Sequence, residues 1–287
     1  MGRPDSWPEH STTLLAAAVA GYATYVGSYK ASRWLSPLIT ASYSNLSEKK
    51  KLEWDARWPS TLHAVVLSSA AGYLFLCTDL FSDSKEFGDP VILRMNPLST
   101  AALGYSLGYF STDLVMLYAH YPDFGGAEMG LHHVAAWMSI AVSGIHEEGH
   151  LYTLALLGTE CTTPFINARW MLDAVGLRSS RVYLVNGLAL VADWFVIRIL
   201  LFLWFFAHMY THSDEIYLVS VPCILLLFTV PVLLFTLNLF WFFKILAGAR
   251  KLLFGGRDRT LKPEELDSSI GAAFGAPRHD VSKDKDL

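Results

Sequence analysis

The chain has 287 residues, 53% of them hydrophobic and 17% charged, with a formal net charge of -4 and a positive mean hydropathy. An ordinary soluble domain carries about a quarter charged residues, so this much apolar surface must face lipid as well as a core, and a soluble globular fold is excluded. The small acidic excess, with no basic stripe interleaved with aromatics, argues against nucleic acid as a partner.

A helix needs about 20 predominantly apolar residues to cross the hydrocarbon of a bilayer. Windows of this kind run in chain order from Ser11 to Lys30, Trp58 to Phe81, Pro97 to His120, Leu131 to Ile145, Leu151 to Phe165, Tyr183 to His208 and Ile216 to Leu246. The fourth and fifth are short enough to form one bent or re-entrant pair, so the expectation is six or seven crossings. Backbone groups in lipid must be satisfied internally, and the alternating strands of a barrel are missing. The fold class is therefore all-α, a polytopic membrane helical bundle of 6–7 transmembrane helices. Trp58, Tyr121, Trp170, Tyr210 and Tyr217 stand near segment ends, where interfacial aromatics belong.

Three units follow: residues 1–53 hold the N-terminus, the first crossing and a basic loop; 54–250 form the main transmembrane domain; 251–287 form a polar tail. The tail is rich in Gly, Pro and charge and reads as disordered. Cys77, Cys161 and Cys223 are widely spaced in or beside apolar segments, a pattern of packing residues rather than of a metal pair or disulfide framework. The first apolar segment follows only one basic residue and lacks a clear small-residue cleavage site, so it reads as retained.

Orientation follows from loop charge. Lys30, Arg33, Lys49, Lys50, Lys51 and Arg57 follow the first segment, Arg169, Arg178 and Arg181 precede the sixth, and the tail begins Arg250-Lys251. The alternate loops hold only Arg3, Lys85 and Arg94, which predicts seven crossings, a lumenal N-terminus and a cytosolic C-terminus. On that topology the Met1-Gly2 myristoylation pattern and the Asn45-Leu46-Ser47 sequon each lie on the wrong side for their enzymes. The end of the tail, Lys283-Asp284-Lys285-Asp286-Leu287, is similar to the dilysine signal that retrieves membrane proteins to the endoplasmic reticulum; a solvated charge run is the alternative.

Polar residues inside apolar segments are costly and are the first functional candidates. They are Ser60, His63, Asp113, His132, His133, Glu160, Asn167, Asn186, Asp193 and Arg198. At 1.5 Å per residue, His63 lies about 8 Å in from Trp58, and Asp113 and Glu160 lie about 10 Å in from His120 and Asn167. His132 and His133 fall in the first turn of the fourth segment. All lie in the expected cytosolic half, which suggests one polar chamber open to the cytosol. The competing reading is that each residue bonds a neighbouring helix independently, with Asp193 and Arg198 pairing with each other or with another helix.

These residues carry a resemblance. Trp54-x-x-Arg57-x-x-Ser60-x-x-His63-Ala64, Tyr109-Phe110-Ser111-Thr112-Asp113, His132-His133, and Glu160-x-x-Thr163-Pro164-Phe165-x-Asn167-x-Arg169-Trp170 resemble the TLC domain. That domain is shared by the translocating-chain-associated membrane protein, the longevity-assurance ceramide synthases and the ceroid-lipofuscinosis protein of the endoplasmic reticulum. The resemblance runs from about Trp54 to Arg250 and is greatest to TLC-domain-containing proteins outside the ceramide synthases. It implies membrane-lipid homeostasis in the endoplasmic reticulum membrane through lipid binding, sensing or transport, with sphingolipid among the candidate lipids. Arg57, Ser60, His63, Asn167, Arg169 and Arg198 would be the lipid-binding residues.

The alternative it implies is a ceramide-synthase-like acyltransferase, with His132, His133, Glu160 and Asp113 as catalytic residues and acyl-CoA and a sphingoid base as substrates. A neutral imidazole would take a proton from an amine or attack an acyl thioester while a carboxylate orients the ring. The ceramide-synthase pattern has a Thr where this chain has Ala136, and a later His-Asp-x-x-Asp run where this chain keeps only Glu160 between Thr159 and Thr163. A second alternative is an intramembrane zinc protease using His146-Glu147-Glu148-Gly149-His150, with Asp173 as a third ligand. Gly149 interrupts the helical turn this needs, and Asp173 is expected on the opposite membrane face, so no metal site and no cofactor are assigned. The expected partners are membrane lipids, and a homo-oligomer or a ceramide-synthase subunit is the protein partner to consider.

Overall fold

The computed structural model describes residues 11–82 and 89–254. The Met1-Gly2 pattern, Arg3, Lys85 and the Lys283/Lys285 tail signal lie outside the described residues. Among the described residues every regular element is helical. The order is α1 (Ser11–Ile39), α2 (Ala41–Ser44), α3 (Glu48–Leu76), α4 (Pro97–Ala119), α5 (Ala127–His146), α6 (His150–Gly158), α7 (Thr163–Ala174), α8 (Arg181–Asp193), α9 (Leu201–Thr211) and α10 (Val221–Phe254). A π-helical turn, Trp194–Leu200, joins α8 to α9 without a break.

Among the described residues, three helices are long and apolar enough to cross a membrane by length and composition: Glu48–Leu76, Arg181–Thr211 and Val221–Arg250. The sequence windows number six or seven. The difference arises where Gly, Ser and Tyr run through the middles of α1 and α4, and where the fifth window breaks into α6, a short 3-10 turn at Thr159–Thr162, and α7.

Helix ends are set by local chemistry. Ser47 caps α3 by accepting from the Lys50 amide, and Asn96 and Ser99 cap α4 reciprocally with Pro97 in the first turn, so orphan amides at both starts are satisfied. Glu147 and Gly149 adopt left-handed conformations with φ of 56° and 65° and turn α5 back into α6. The Gly149 amide is tied to the Ile92 carbonyl at 2.9 Å.

The closest helix pair is α1 with α4. A Cβ at Gly108 would lie 1.9 Å from the Ala18 carbonyl oxygen, one at Gly104 2.3 Å from that of Leu14, and one at Gly21 2.1 Å from that of Tyr105. Lipid tails are as apolar as Leu, so backbone proximity through small residues is the main source of helix association in a bilayer. The main core, which includes Leu67, Leu103, Leu154 and Phe205, joins α3, α4, α6 and α9. A second cluster, Leu190, Trp194, Ile199, Trp241 and Ile245, packs α8 and the π-helical turn on α10. Between these clusters the polar residues gather.

Candidate functional site

A cavity of about 160 Å³ lies among α3, α4, α5, α7, the π-helical turn and α10. Its walls include Arg57 and Ser60 from α3, Asp113 from α4, and His132 and His133 from α5. Glu160, Asn167 and Arg198 complete the polar lining expected from the sequence. Residues up to 188 positions apart in the chain thus meet in one chamber (53 to 241).

Three cation–carboxylate pairs are built into it. Arg57 bonds Glu53 one turn earlier on α3, with the Asn167 side-chain oxygen as a second acceptor at 3.0 Å and the Trp170 ring 4.3 Å below its guanidinium. His133 Nε2 stands 3.0 Å from Asp113, and Tyr25 of α1 donates to the other Asp113 oxygen at 3.0 Å. Arg198 reaches Glu160 at 3.3 Å and also donates to Thr162 at 2.9 Å and Asn238 at 3.4 Å. A π-helical segment re-aims side chains relative to a regular helix, and such segments concentrate at functional sites; here it delivers Arg198 to the cavity.

The neighbouring imidazoles differ. His133 Nδ1 donates to the Met129 carbonyl at 2.9 Å, so both of its nitrogens are engaged. His132 is buried, with Nδ1 lacking a hydrogen-bond partner, and its ring lies against Trp241 at 5.7 Å.

Below His132 the walls turn apolar. A cavity of about 30 Å³ shares Phe110, His132, Glu160 and Arg198 with the chamber and continues past Ala136, Ile140, Leu157 and Phe202. A third, also about 30 Å³, shares Ser139, Thr153 and Leu156 with the second and ends near Gly149 and Cys223. The three cavities share walls in series, polar at one end and apolar beyond.

Two expected lipid-binding residues stand elsewhere. His63 does not line the chamber; it is buried behind it, stacked on Tyr109 at 3.9 Å and bonded to Ser106 at 3.2 Å. Arg169 packs its guanidinium on Tyr183 at 4.1 Å, on the face of α7 toward α8. Asn186 bonds the Phe165 carbonyl, and Asp193 faces Cys161 while Arg198 turns to Glu160. Glu53, Tyr25 and Trp241 join the site unannounced by the sequence reading. Only Glu53 left a signal, as the acidic member of an i,i+4 pair with Arg57.

The zinc-protease reading fails on geometry. His146 ends α5 in an exposed position and His150 begins α6 buried, with two left-handed residues between them. His150 Nδ1 is held by Ser99 at 2.9 Å. The two imidazoles therefore do not present one helical face to a single ion, and the described residues contain no cluster of three or more metal-ligating side chains.

The family model described as the TLC domain matches residues 53–247. The chain belongs to the TLC-domain family. It is 32% identical over 228 residues to TLC domain-containing protein 4-A of Xenopus laevis, covering 76% of this chain and 85% of that one. The human TLC domain-containing protein 4 is 27% identical over 231 residues, 78% of this chain and 84% of that protein. An uncharacterized TLC domain-containing protein of Schizosaccharomyces pombe is 30% identical over 261 residues, 88% and 83% of the two chains. No solved structure matches the chain. The matched TLC domain contains every cavity residue named above, and Tyr25, which α1 supplies from outside it, braces Asp113 from behind the wall.

Proposed function

We propose that this TLC-domain protein holds a membrane lipid with its head group in the chamber and a chain along the apolar path, and that it serves membrane-lipid homeostasis by binding, sensing or transport. The observation that carries this reading is the shared wall: Phe110, His132, Glu160 and Arg198 border both the polar cavity and its apolar continuation. Ligand sites are concave, mostly apolar, and carry a few placed polar groups, and an amphipathic path inside a bilayer protein matches an amphipathic ligand. The loop-charge pattern supports a chamber mouth on the cytosolic side of six or seven crossings, and the tail sequence supports residence in the endoplasmic reticulum.

The test is mass spectrometry of lipids retained by purified full-length protein, alongside lipidomics of cells lacking it, rescued with wild type or with Phe110→Trp. Wild type is expected to retain a defined lipid and to restore composition, and the variant to do neither. A retained lipid profile identical to bulk membrane, with rescue by the variant, would sink the reading.

A second reading is acyl transfer, favoured by the unpartnered Nδ1 of buried His132 beside a fully engaged His133. In that reaction an imidazole nitrogen of His132 attacks an acyl thioester: a C–N bond forms, the C–S bond breaks, and the thiolate leaves. An acceptor amine or hydroxyl then takes the acyl group and releases the imidazole, its proton passing to the departing thiolate. Incubation with palmitoyl-CoA followed by peptide mass spectrometry is expected to find a palmitoyl adduct on His132. A protein free of adduct that also fails to consume the thioester overturns it.

A further inference from the structure

Every formal charge on the chamber wall is matched. Glu53, Asp113 and Glu160 face Arg57, His133 and Arg198, pair by pair, and among the described residues no other Asp, Glu, Lys or Arg borders the chamber or its two apolar continuations. The ledger does not depend on where one proton sits. His133 Nδ1 faces a carbonyl, which only accepts, so that nitrogen carries a hydrogen. A lone pair on Nε2 facing an ionised Asp113 would be repulsive, so a proton lies between these two atoms. Whether it resides on the ring or on the carboxyl, the His133–Asp113 pair is neutral as a unit.

Among the unpartnered buried nitrogens of wall residues, His132 Nδ1 donates or accepts according to its tautomer and the other two only donate. Arg57 Nε and Trp241 Nε1 are buried and have no partner, and both belong to residues of the chamber wall. Guanidinium and indole nitrogens donate and never accept. Buried donors left unpaired are unfavourable, so the arrangement suits an occupant with acceptor oxygens. The 160 Å³ volume is close to that of an engineered cavity of about 150 Å³ in another protein that takes benzene, which limits the occupant to a small group.

We infer that the chamber selects lipids whose small head group is net-neutral and rich in acceptor oxygens, zwitterionic or uncharged, over anionic and cationic lipids. The inference rests on the lipid-site reading above and names its ligand class. A net charge brought into a low-dielectric site stays uncompensated unless a counter-charge is free to meet it. Here none is free. An anionic group that captures Arg57 or Arg198 strands Glu53 or Glu160, and a cationic group that captures a carboxylate strands its arginine or histidine, so exchange brings no gain. A neutral head leaves all three pairs intact and offers its acceptor oxygens to donors of the wall residues.

The experiment uses purified full-length protein in detergent micelles and competes a fluorescent phosphatidylcholine with lipids of identical dioleoyl chains. Phosphatidylcholine and diacylglycerol form the net-neutral arms, zwitterionic and uncharged; phosphatidic acid and phosphatidylserine form the anionic arms; a trimethylammonium-propane lipid is the cationic arm. The better net-neutral arm is expected to bind about tenfold tighter than any charged arm. In Glu53→Gln, which leaves the wall with one unmatched cation near the start of α3, the preference for neutral over anionic lipid is expected to narrow at least threefold, and Arg57→Gln is expected to widen it. Anionic lipid binding as tightly as neutral lipid in wild type, or a head-group preference unmoved by both variants, overturns the inference while leaving a lipid site standing. Failure of every lipid to bind overturns the lipid-site reading and the inference with it.

Discussion

His133 stands with Nε2 3.0 Å from the Asp113 carboxylate and Nδ1 2.9 Å from the Met129 carbonyl, whereas its chain neighbour His132 keeps Nδ1 without a hydrogen-bond partner. Two adjacent residues of identical chemistry are thereby given different tasks. One ties α5 to α4, and through Tyr25 to α1; the other borders the cavity with capacity to spare.

That division predicts opposite phenotypes. His133→Phe leaves the Asp113 carboxylate without its counter-group in a partly buried pair, and stranding such a group is destabilising by about 1–3 kcal/mol. His132→Gln removes no ion pair and is expected to change stability by about 1 kcal/mol or less while reducing lipid retention. Thermal melting in detergent and lipid mass spectrometry on both variants measure the two effects. A larger loss of stability in His132→Gln than in His133→Phe would reverse the assignment.

Glu160 and Arg198 act as a unit across 38 residues of chain. A double-mutant cycle of Glu160→Gln and Arg198→Gln is expected to show a coupling energy of about 1–3 kcal/mol in thermal stability. Asp193 faces Cys161 instead, so Asp193→Asn combined with Arg198→Gln is expected to be additive within about 0.5 kcal/mol. Coupling of the same size in both cycles would mean that Arg198 is shared between the two carboxylates.

Much of the chamber was legible because intramembrane polar residues are costly and therefore few. Ser60, Asp113, His132, His133, Glu160, Asn167 and Arg198 stood out from an apolar background, and the common depth of Asp113, His132, His133 and Glu160 is what a shared cavity requires; Arg57, counted with the loop cations, entered only through the Trp54–Ala64 resemblance. His63 stood out equally, yet it bonds Ser106 behind Tyr109, because depth along a helix axis does not specify the direction in which a side chain faces. Arg169 is displaced for the same reason. The π-helical turn at Trp194–Leu200 has no compositional signature, so the redirection of Arg198 away from Asp193 was invisible. Tyr25 lies in an otherwise ordinary apolar helix, and only packing against α4 reveals its bond to Asp113.

The α1–α4 contact predicts sharp sensitivity to volume. Gly108→Ala places a Cβ 1.9 Å from the Ala18 carbonyl oxygen, and overpacking of this kind destabilises by about 1–3 kcal/mol. At Gly72 nothing lies within 4 Å of the added Cβ, so Gly72→Ala is expected to be neutral or stabilising by up to about 1 kcal/mol through helix propensity. Detergent melting curves compare the two; equal destabilisation would contradict the close approach at Gly108.

Orientation is tested by tags. The loop-charge asymmetry predicts that a glycosylation acceptor appended to the C-terminus stays unmodified and that native Asn45 is unmodified, while one inserted near Ser213 is glycosylated. Replacing Lys283 and Lys285 with Ser is expected to release the protein to later compartments. Glycan on the C-terminal tag would invert the topology, and an unchanged distribution of the Ser variant would assign those lysines to solvation alone.

The apolar path makes the last prediction, which concerns chain length. Between His132 and Ser143, residues of α5 border the chamber and then the two smaller cavities, a rise of about 16 Å along the helix. A lipid chain leaving the bilayer for this path gains little hydrophobic free energy, since lipid tails and apolar side chains are equivalent solvents for it. Selection by length must therefore be steric, and a steric limit gives a cut-off rather than a gradient. Ala136 lies one turn beyond His132 on the wall of the second cavity, where a Phe side chain would close the path near its start. Ala136→Phe is accordingly expected to keep the head-group preference of wild type while losing lipids with long chains and retaining those with short ones. Competition with phosphatidylcholines from dihexanoyl to dioleoyl, read on both proteins, measures it. If the variant binds the whole series in parallel with wild type, the chain does not run along α5 and the path is not its site.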